Sequence, residues 1–295
     1  MRTLRSEVFR LRHRWMPWIV LGIILALGFG MYELIYMTLN TQIKLLESGN
    51  APANVTQGNA EATLKQLRDT LASIRPSQIP AFGISLVAGL GSVMLIVFTA
   101  SHVGTEFTWG TLRTVLANGV GRAEFLAAKL VSILLFALVF AVVGIAAVVA
   151  ASFIVSAQAG FDTNGFDGGA VAAASWRTLY AFLPYIALTT VIVTWARSTG
   201  AGVAAGLVIY FAESLIAQLL IGFDRNFATV ANLGIARNVE ALSQAGVRVG
   251  VNTGPNPNAP ALPDPTQAAV VLALWTATFI ALAYWRLRSR DITLA

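Results

Sequence analysis

Residues 130–155 read LVSILLFALVFAVVGIAAVVAASFIV, an apolar run without one charged side chain. A helix needs about 20 such residues to cross a bilayer core of about 30 Å, since each residue rises about 1.5 Å. Five more runs of spanning length accompany it, at 17–39, 81–101, 178–196, 200–222 and 266–285. Of the 295 residues, 56% are hydrophobic and only 12% are charged. A soluble domain carries about 25% charged residues, so this composition would leave a soluble globule with far too much exposed apolar surface. The expected fold is therefore an all-α integral membrane protein with six transmembrane helices. Residues 1–295 form a single transmembrane domain, because too little chain lies outside the spans for a separate large soluble domain. Cysteine is absent, which excludes disulfides, thiolate zinc sites and cysteine nucleophiles. Two histidines, His13 and His102, are too few for a histidine-rich metal site. Lys44, Lys65 and Lys129 are the only lysines and none follows a glycine, so the chain has no phosphate-binding loop of the G-x-x-x-x-G-K-[ST] kind.

Six crossings place residues 1–16, 102–129, 197–199 and 286–295 on one side, and 40–80, 156–177 and 223–265 on the other. Lys and Arg are more than twice as dense on the first side. Arg10, Arg12, Arg14 and Arg286, Arg288, Arg290 sit right at span ends. The positive-inside rule makes that side cytoplasmic. The expectation is a multi-pass protein of the cell (inner or plasma) membrane with both termini in the cytoplasm. The first run passes Gly28-Phe29-Gly30 and reaches Leu39, too long for a typical cleaved signal core, so it reads as a retained span. The lipid bilayer is an expected partner, and no nucleic-acid partner is expected.

Between the spans, helical periodicity returns. Within residues 1–16, Leu4, Val8, Leu11 and Trp15 form one stripe, with Arg2, Arg5, Arg10 and Arg12 on the remaining faces. That pattern is a basic amphipathic helix suited to an anionic membrane surface. In the first outer segment, Leu64, Leu67, Leu71 and Ile74 share a face, with charged Glu61, Lys65, Arg68 and Asp69 off it. Asn54-Val55-Thr56 matches a glycosylation sequon, a pattern common by chance. In the last outer segment, Ile235, Val239 and Leu242 share a face. Arg225, Arg237 and Glu240 argue against a full span there, so short re-entrant or interfacial helices are expected. Residues 252–260, NTGPNPNAP, read as loop.

The linker between the second and third spans reads GTEFTWGTLR over residues 104–113, TVLANGVGR over 114–122 and AEFLAAK over 123–129. Plotted as one helix over 104–118, Trp109, Leu112, Val115 and Leu116 form an apolar arc. Glu106, Gly110 and Arg113 form the opposite face. Asn118-Gly119 reads as its stop. This motif, G-x-E-x-x-x-G-T-L-R followed by a small-residue turn, Arg122 and F-L-x-A-K, resembles the membrane subunit of type-two ATP-binding-cassette (ABC) exporters. The N-terminal basic helix resembles that family's connecting helix. The outer segment after the fifth span resembles its re-entrant helices, and residues 285–292, WRLRSRDI, resemble its basic tail. The first outer loop is longer than in many members.

The resemblance implies a permease subunit, not an enzyme. Two copies of a separate nucleotide-binding (ATPase) subunit would bind ATP and Mg and hydrolyse the ATP. The pathway would be formed with a second permease subunit, as a homodimer or heterodimer. The resemblance also implies a cytoplasmic coupling helix over 104–118. Glu106, Trp109, Gly110, Thr111, Leu112, Arg113 and Arg122 are then the residues that couple to the ATPase. The implied cargo is hydrophobic or amphipathic, and the direction is export.

Two carboxylates lie inside spans. Glu33 is roughly 24 Å along the first and Glu213 roughly 20 Å along the fifth, counting about 1.5 Å per residue, so both occupy the outer half. A carboxylate there is protonated, paired or facing water. Both are candidates for the translocation path, with Arg177 as a partner for either. They also carry the alternative reading, an ion- or proton-coupled secondary transporter. A membrane scaffold without transport is a third reading. Gly202-x-x-x-Gly206 marks a close-packing face on the fifth span, against a neighbouring helix or a second subunit. His102 beside Ser101 lacks both a G-x-S-x-G motif and a third partner, so hydrolase chemistry is not expected.

Overall fold

The computed structural model describes residues 2–48, 60–245 and 262–289. The sequon at Asn54, the loop at 252–260 and the tail from Arg290 onward lie outside the described residues. Among the described residues all regular structure is helical. The first helix, α1, spans Arg2–His13, and α2 spans Trp15–Glu47. Next comes α3, Ala60–Ala72. A 3-10 turn at Pro76–Gln78 and a π turn at Ile79–Gly83 lead into α4, Ile84–Thr108. Then follow α5, Thr111–Ala117, α6, Arg122–Ala159, α7, Gly168–Ala196, and α8, Thr199–Phe223. The short α9, Ala228–Ala231, precedes α10, Ile235–Gln244, and α11, Pro265–Ser289.

Six helices are long and apolar enough to cross a membrane: α2, α4 with its leading turns, α6, α7, α8 and α11. They contain the six runs expected from the sequence, and most run well past them. The reason is that an intact hydrogen-bond ladder ends at a cap, not where hydrophobicity fades. α6 continues to Gly160, which closes it in the left-handed region at φ 67°. α7 begins where the Asp167 carboxylate accepts from Ala170 N at 3.0 Å. α8 begins where the Ser198 hydroxyl accepts from Ala201 N at 3.3 Å. α1, by contrast, stops one residue before α2. Arg14 between them is extended (φ −86°, ψ 139°), which breaks the expected stripe and leaves Trp15 exposed.

α7 sits at the centre, packed by α4, α8 and α11, while α2 packs along α6 and α3 lies on α2. Leu71 and Ile74 are buried there, with Leu64 and Leu67 beside them. α10 buries Ile235 and Leu242 against Ile96, Tyr185 and Leu272. α1 lies across the beginning of α6. The ends of α4 and α11, the start of α6, α1 and α5 thus gather at one end of the bundle, with α3, α9 and α10 at the other.

Enclosure differs sharply between spans: 67% of the apolar centre of α7 is buried, but only 11% of that of α8. Gly202 and Gly206 explain how so exposed a helix is held. A Cβ on Gly202 would collide with the Val193 side chain and meet Ala100 Cβ at 3.1 Å; one on Gly206 would meet Ile96 Cγ2 at 2.7 Å. Gly202 and Gly206 therefore serve contact with α4 and α7 inside the chain. Val208, Leu215, Ile216 and Leu219 of α8 are left exposed.

Replacing Gly202 with Leu should lower the thermal midpoint of the purified chain, since overpacking typically costs about 1–3 kcal/mol. The same exchange at Gly222, where a Cβ meets nothing within 4 Å, should leave it in place. Equal midpoints for the two variants would overturn the internal packing of α8.

Candidate functional site

Residues 104–118 are not one helix. α4 continues to Thr108, Trp109 terminates it, and Gly110 adopts a left-handed conformation at φ 68° before α5 begins. Glycine takes that conformation without a Cβ clash. The break corrects the expected two-faced helix over 104–118, because it puts Glu106 and α5 on separate helices. Glu106 lies on the last turn of α4, 1% exposed. It faces the protein interior, not a solvent-facing polar surface.

Around it lies a buried cluster of charges. Lys129 Nζ, on α6, donates to Glu106 Oε1 at 2.8 Å and to Glu7 Oε2 at 2.6 Å. Arg10 Nη1 donates to Glu106 Oε1 at 3.1 Å and lies 3.5 Å from Glu7 Oε1. His102 Nε2 is 3.0 Å from Ser132 Oγ and 3.5 Å from Glu7 Oε2. The hydroxyl of Thr111, the first residue of α5, donates to Glu106 Oε2. Two carboxylates thus tie together α1, α4, α5 and α6. Burying an ion costs several kcal/mol, offset only by good geometry and full hydrogen bonding. Glu106, Glu7 and Lys129 have that geometry, and Lys129 also reaches the His102 carbonyl at 3.5 Å.

Sequence reasoning missed Glu7, Arg10, Lys129 and His102 as members of one site. Two signals were available. Glu7 is the only acidic residue ahead of Glu33, set among arginines, and Lys129 immediately precedes the longest apolar run. Either is an isolated charge in a setting that invites a partner.

Among the described side chains, α5 is anchored on one side. Leu112 is buried with Phe125, Leu126, Val191, Ala283 and Leu287, and Val115 and Leu116 are packed beside it. Arg122 Nη1 donates to the carbonyls of Leu287 at 3.1 Å and Arg288 at 2.6 Å. It therefore holds the last turn of α11, where carbonyls lack helical partners and a cation is favoured. Trp109 leaves the expected apolar arc and is 66% exposed. The guanidinium of Arg14 lies 5.3 Å from its ring centroid, and Arg14 also donates to Thr105 Oγ1 at 3.1 Å. Thr114, Ala117 and Asn118 are exposed as well. The side chain of Arg113 lies outside the described residues.

The two span carboxylates do not meet. Glu33 Oε1 accepts from Gln158 Nε2 of α6 at 3.3 Å. Glu213 accepts from the backbone of Ile235 and, at 3.1 Å, from that of Ala236. It thus caps the N-terminus of α10, where unpaired N–H groups and the helix dipole favour an anion. Arg177 forms an ion pair with neither.

A family model described as ABC-2 family transporter protein matches residues 7–292. No match is found among curated proteins or among solved structures.

Glu106→Gln and Lys129→Gln should each lower the thermal midpoint strongly, since breaking a buried pair typically costs about 3–5 kcal/mol. The double variant should lose clearly less than the sum. Losses that add to within about 0.5 kcal/mol would show that the two side chains do not interact.

Proposed function

The chain belongs to the ABC-2 family of transporter proteins, and from that premise we propose that it exports hydrophobic or amphipathic compounds using ATP hydrolysed, with Mg, on a separate subunit. It is a multi-pass membrane protein and an ABC permease, and its family implies a partner ATPase. The working unit in this proposal is two permease chains with two ATPase subunits. The end of the bundle that carries α1 and α5 faces the cytoplasm of the cell membrane, in keeping with its excess of Lys and Arg.

The observation that supports this reading best is α5, with its exposed neighbour Trp109. One side of this short helix is fastened by Thr111 and Leu112; the other presents Trp109, Thr114, Ala117 and Asn118. An ATPase docked on that side pushes against a helix with rigid connections. Thr111 passes the displacement to Glu106 on α4. Lys129 passes it to α6 and to Glu7 on α1. Leu112 passes it to α11, whose end is held by Arg122. In this mechanism Glu106 is a positioning residue behind the interface, while Trp109 makes the contact. Buried tryptophans at interface centres are typical hot spots.

Trp109→Ala should reduce ATPase co-purification at least tenfold, while Trp176→Ala, an equally exposed tryptophan at the opposite end of the bundle, should leave it unchanged. Similar retention in the two variants would end the docking proposal.

Orientation has its own test on this cysteine-free chain. A membrane-impermeant maleimide added to intact cells should label Asn164→Cys and should label Asn118→Cys only after permeabilisation. The reverse pattern would invert the topology.

A further inference from the structure

Between α4, α7, α8 and α10 lies a cavity of about 460 Å³, within the range of about 300–1,000 Å³ common for small-molecule sites. Its inner and outer ends differ in chemistry. The inner end is walled by Tyr185, Tyr210 and Phe211. Tyr185 and Tyr210 meet edge to face at 5.0 Å. The Tyr210 hydroxyl donates to the Gly89 carbonyl at 3.3 Å, and that of Ser92 to the Ala88 carbonyl at 2.9 Å. The Tyr210 and Ser92 protons are engaged with backbone, so this part of the wall offers mainly ring faces and aliphatic carbon.

The outer end is roofed by α10, itself held in place by Glu213. Glu240 and Gln244 point in from α10 and Gln218 from α8. Gln218 follows Tyr210 by about 12 Å along α8, at about 1.5 Å per residue. Gln244 donates to Glu240 at 3.2 Å and Gln218 to the Ser214 hydroxyl at 3.4 Å, and each amide retains further donor and acceptor capacity. The charged residues lining the cavity, Arg237 and Glu240, are of opposite sign, so the outer end has no net charge. Phe211, Gln218 and Glu240 are exposed, so the cavity opens sideways at the α8 surface.

We propose that this cavity binds a single-chain amphiphile with an uncharged, hydrogen-bonding head. The head sits among Gln218, Glu240 and Gln244, and the tail lies along Tyr185, Tyr210 and Phe211. An anionic head would meet the Glu240 carboxylate, whereas an uncharged head can donate to it and pair with the amides of Gln218 and Gln244. A pure hydrocarbon would make no use of the remaining donor and acceptor capacity of the outer amides. The assignment of this ligand as cargo rests on the permease reading above; the binding itself does not require the ATPase.

The test is photolabelling of the full chain in phosphatidylcholine nanodiscs with a monoacylglycerol carrying a diazirine in its tail. Label should map to the α4, α7 and α8 segments around Tyr185, Tyr210 and Phe211. Unlabelled 1-oleoylglycerol should compete at least tenfold better than oleate or hexadecane. Gly89→Leu should cut labelling at least tenfold, because the new side chain enters open space at the cavity wall. Gly30→Leu, the same exchange at an equally open position on α2, should not. Gln218→Leu, a change at an exposed position, should weaken competition by oleoylglycerol about tenfold. Equal competition by oleate would overturn the head-group assignment. Labelling that Gly89→Leu leaves intact, or that Gly30→Leu abolishes equally, would overturn the site. No ATPase is present in this assay, so its failure would leave the docking of Trp109 untouched, and the reverse holds too.

Discussion

Lys129 holds one ammonium between two carboxylates, 2.8 Å from Glu106 and 2.6 Å from Glu7, where all three side chains are almost fully buried. None of these charges is tolerable alone at that depth, because the desolvation of an unpaired ion exceeds any single packing gain. The three helices that supply them are therefore obliged to meet. α1 has to fold back across the start of α6, and the last turn of α4 has to lie beside both. α5 then hangs from the same carboxylate through Thr111. The N-terminal helix is accordingly more than a basic surface anchor: its one acidic residue is a structural partner of the membrane domain.

Within the bilayer the constraint is of another kind. Lipid is as apolar as leucine, so spans associate through close packing rather than through expulsion of water. α8 shows the consequence. It is held by glycines that let its backbone approach α4 and α7, and most of its remaining surface is apolar and exposed. The same helix carries Glu213, whose carboxylate fixes the N-terminus of α10 and with it the roof of the cavity. Movement of α8 against α4 would therefore change the cavity and its roof together. In the proposed exporter that links the α4 end near α5 to the α4 face that lines the cavity.

Charge inside a span marked function less directly than the residue types alone imply. Glu33 is bonded to an amide of the neighbouring span, and Glu213 serves as a helix cap supplied from a different helix. Both satisfy the requirement that a carboxylate in apolar surroundings find a donor. Glu106, which reads from its spacing as part of the polar, partner-facing side of a coupling helix, is instead among the most buried polar groups of the described residues. The determining residue is Gly110. A positive φ ends the helix and turns α5 away, and helical plotting across a glycine does not reveal it.

The sequence by itself determined the class, the six spans, the amphipathic face of α10 and the family motif at 104–129. These are local properties: length of apolar run, period of the apolar face and the order of residues in a short segment. It also showed the excess of positive charge at one end. Only the tertiary structure decided which charges pair, which side of α5 is left open, that Gly202 and Gly206 face inward, and that a cavity forms beneath α10. Glu7 and Lys129 stand 122 residues apart, and Tyr210 reaches the carbonyl of a residue 121 positions away. Contacts at that separation depend on how the helices pack. Helical periodicity sets which face a residue takes, but it carries no information about which helix that face meets.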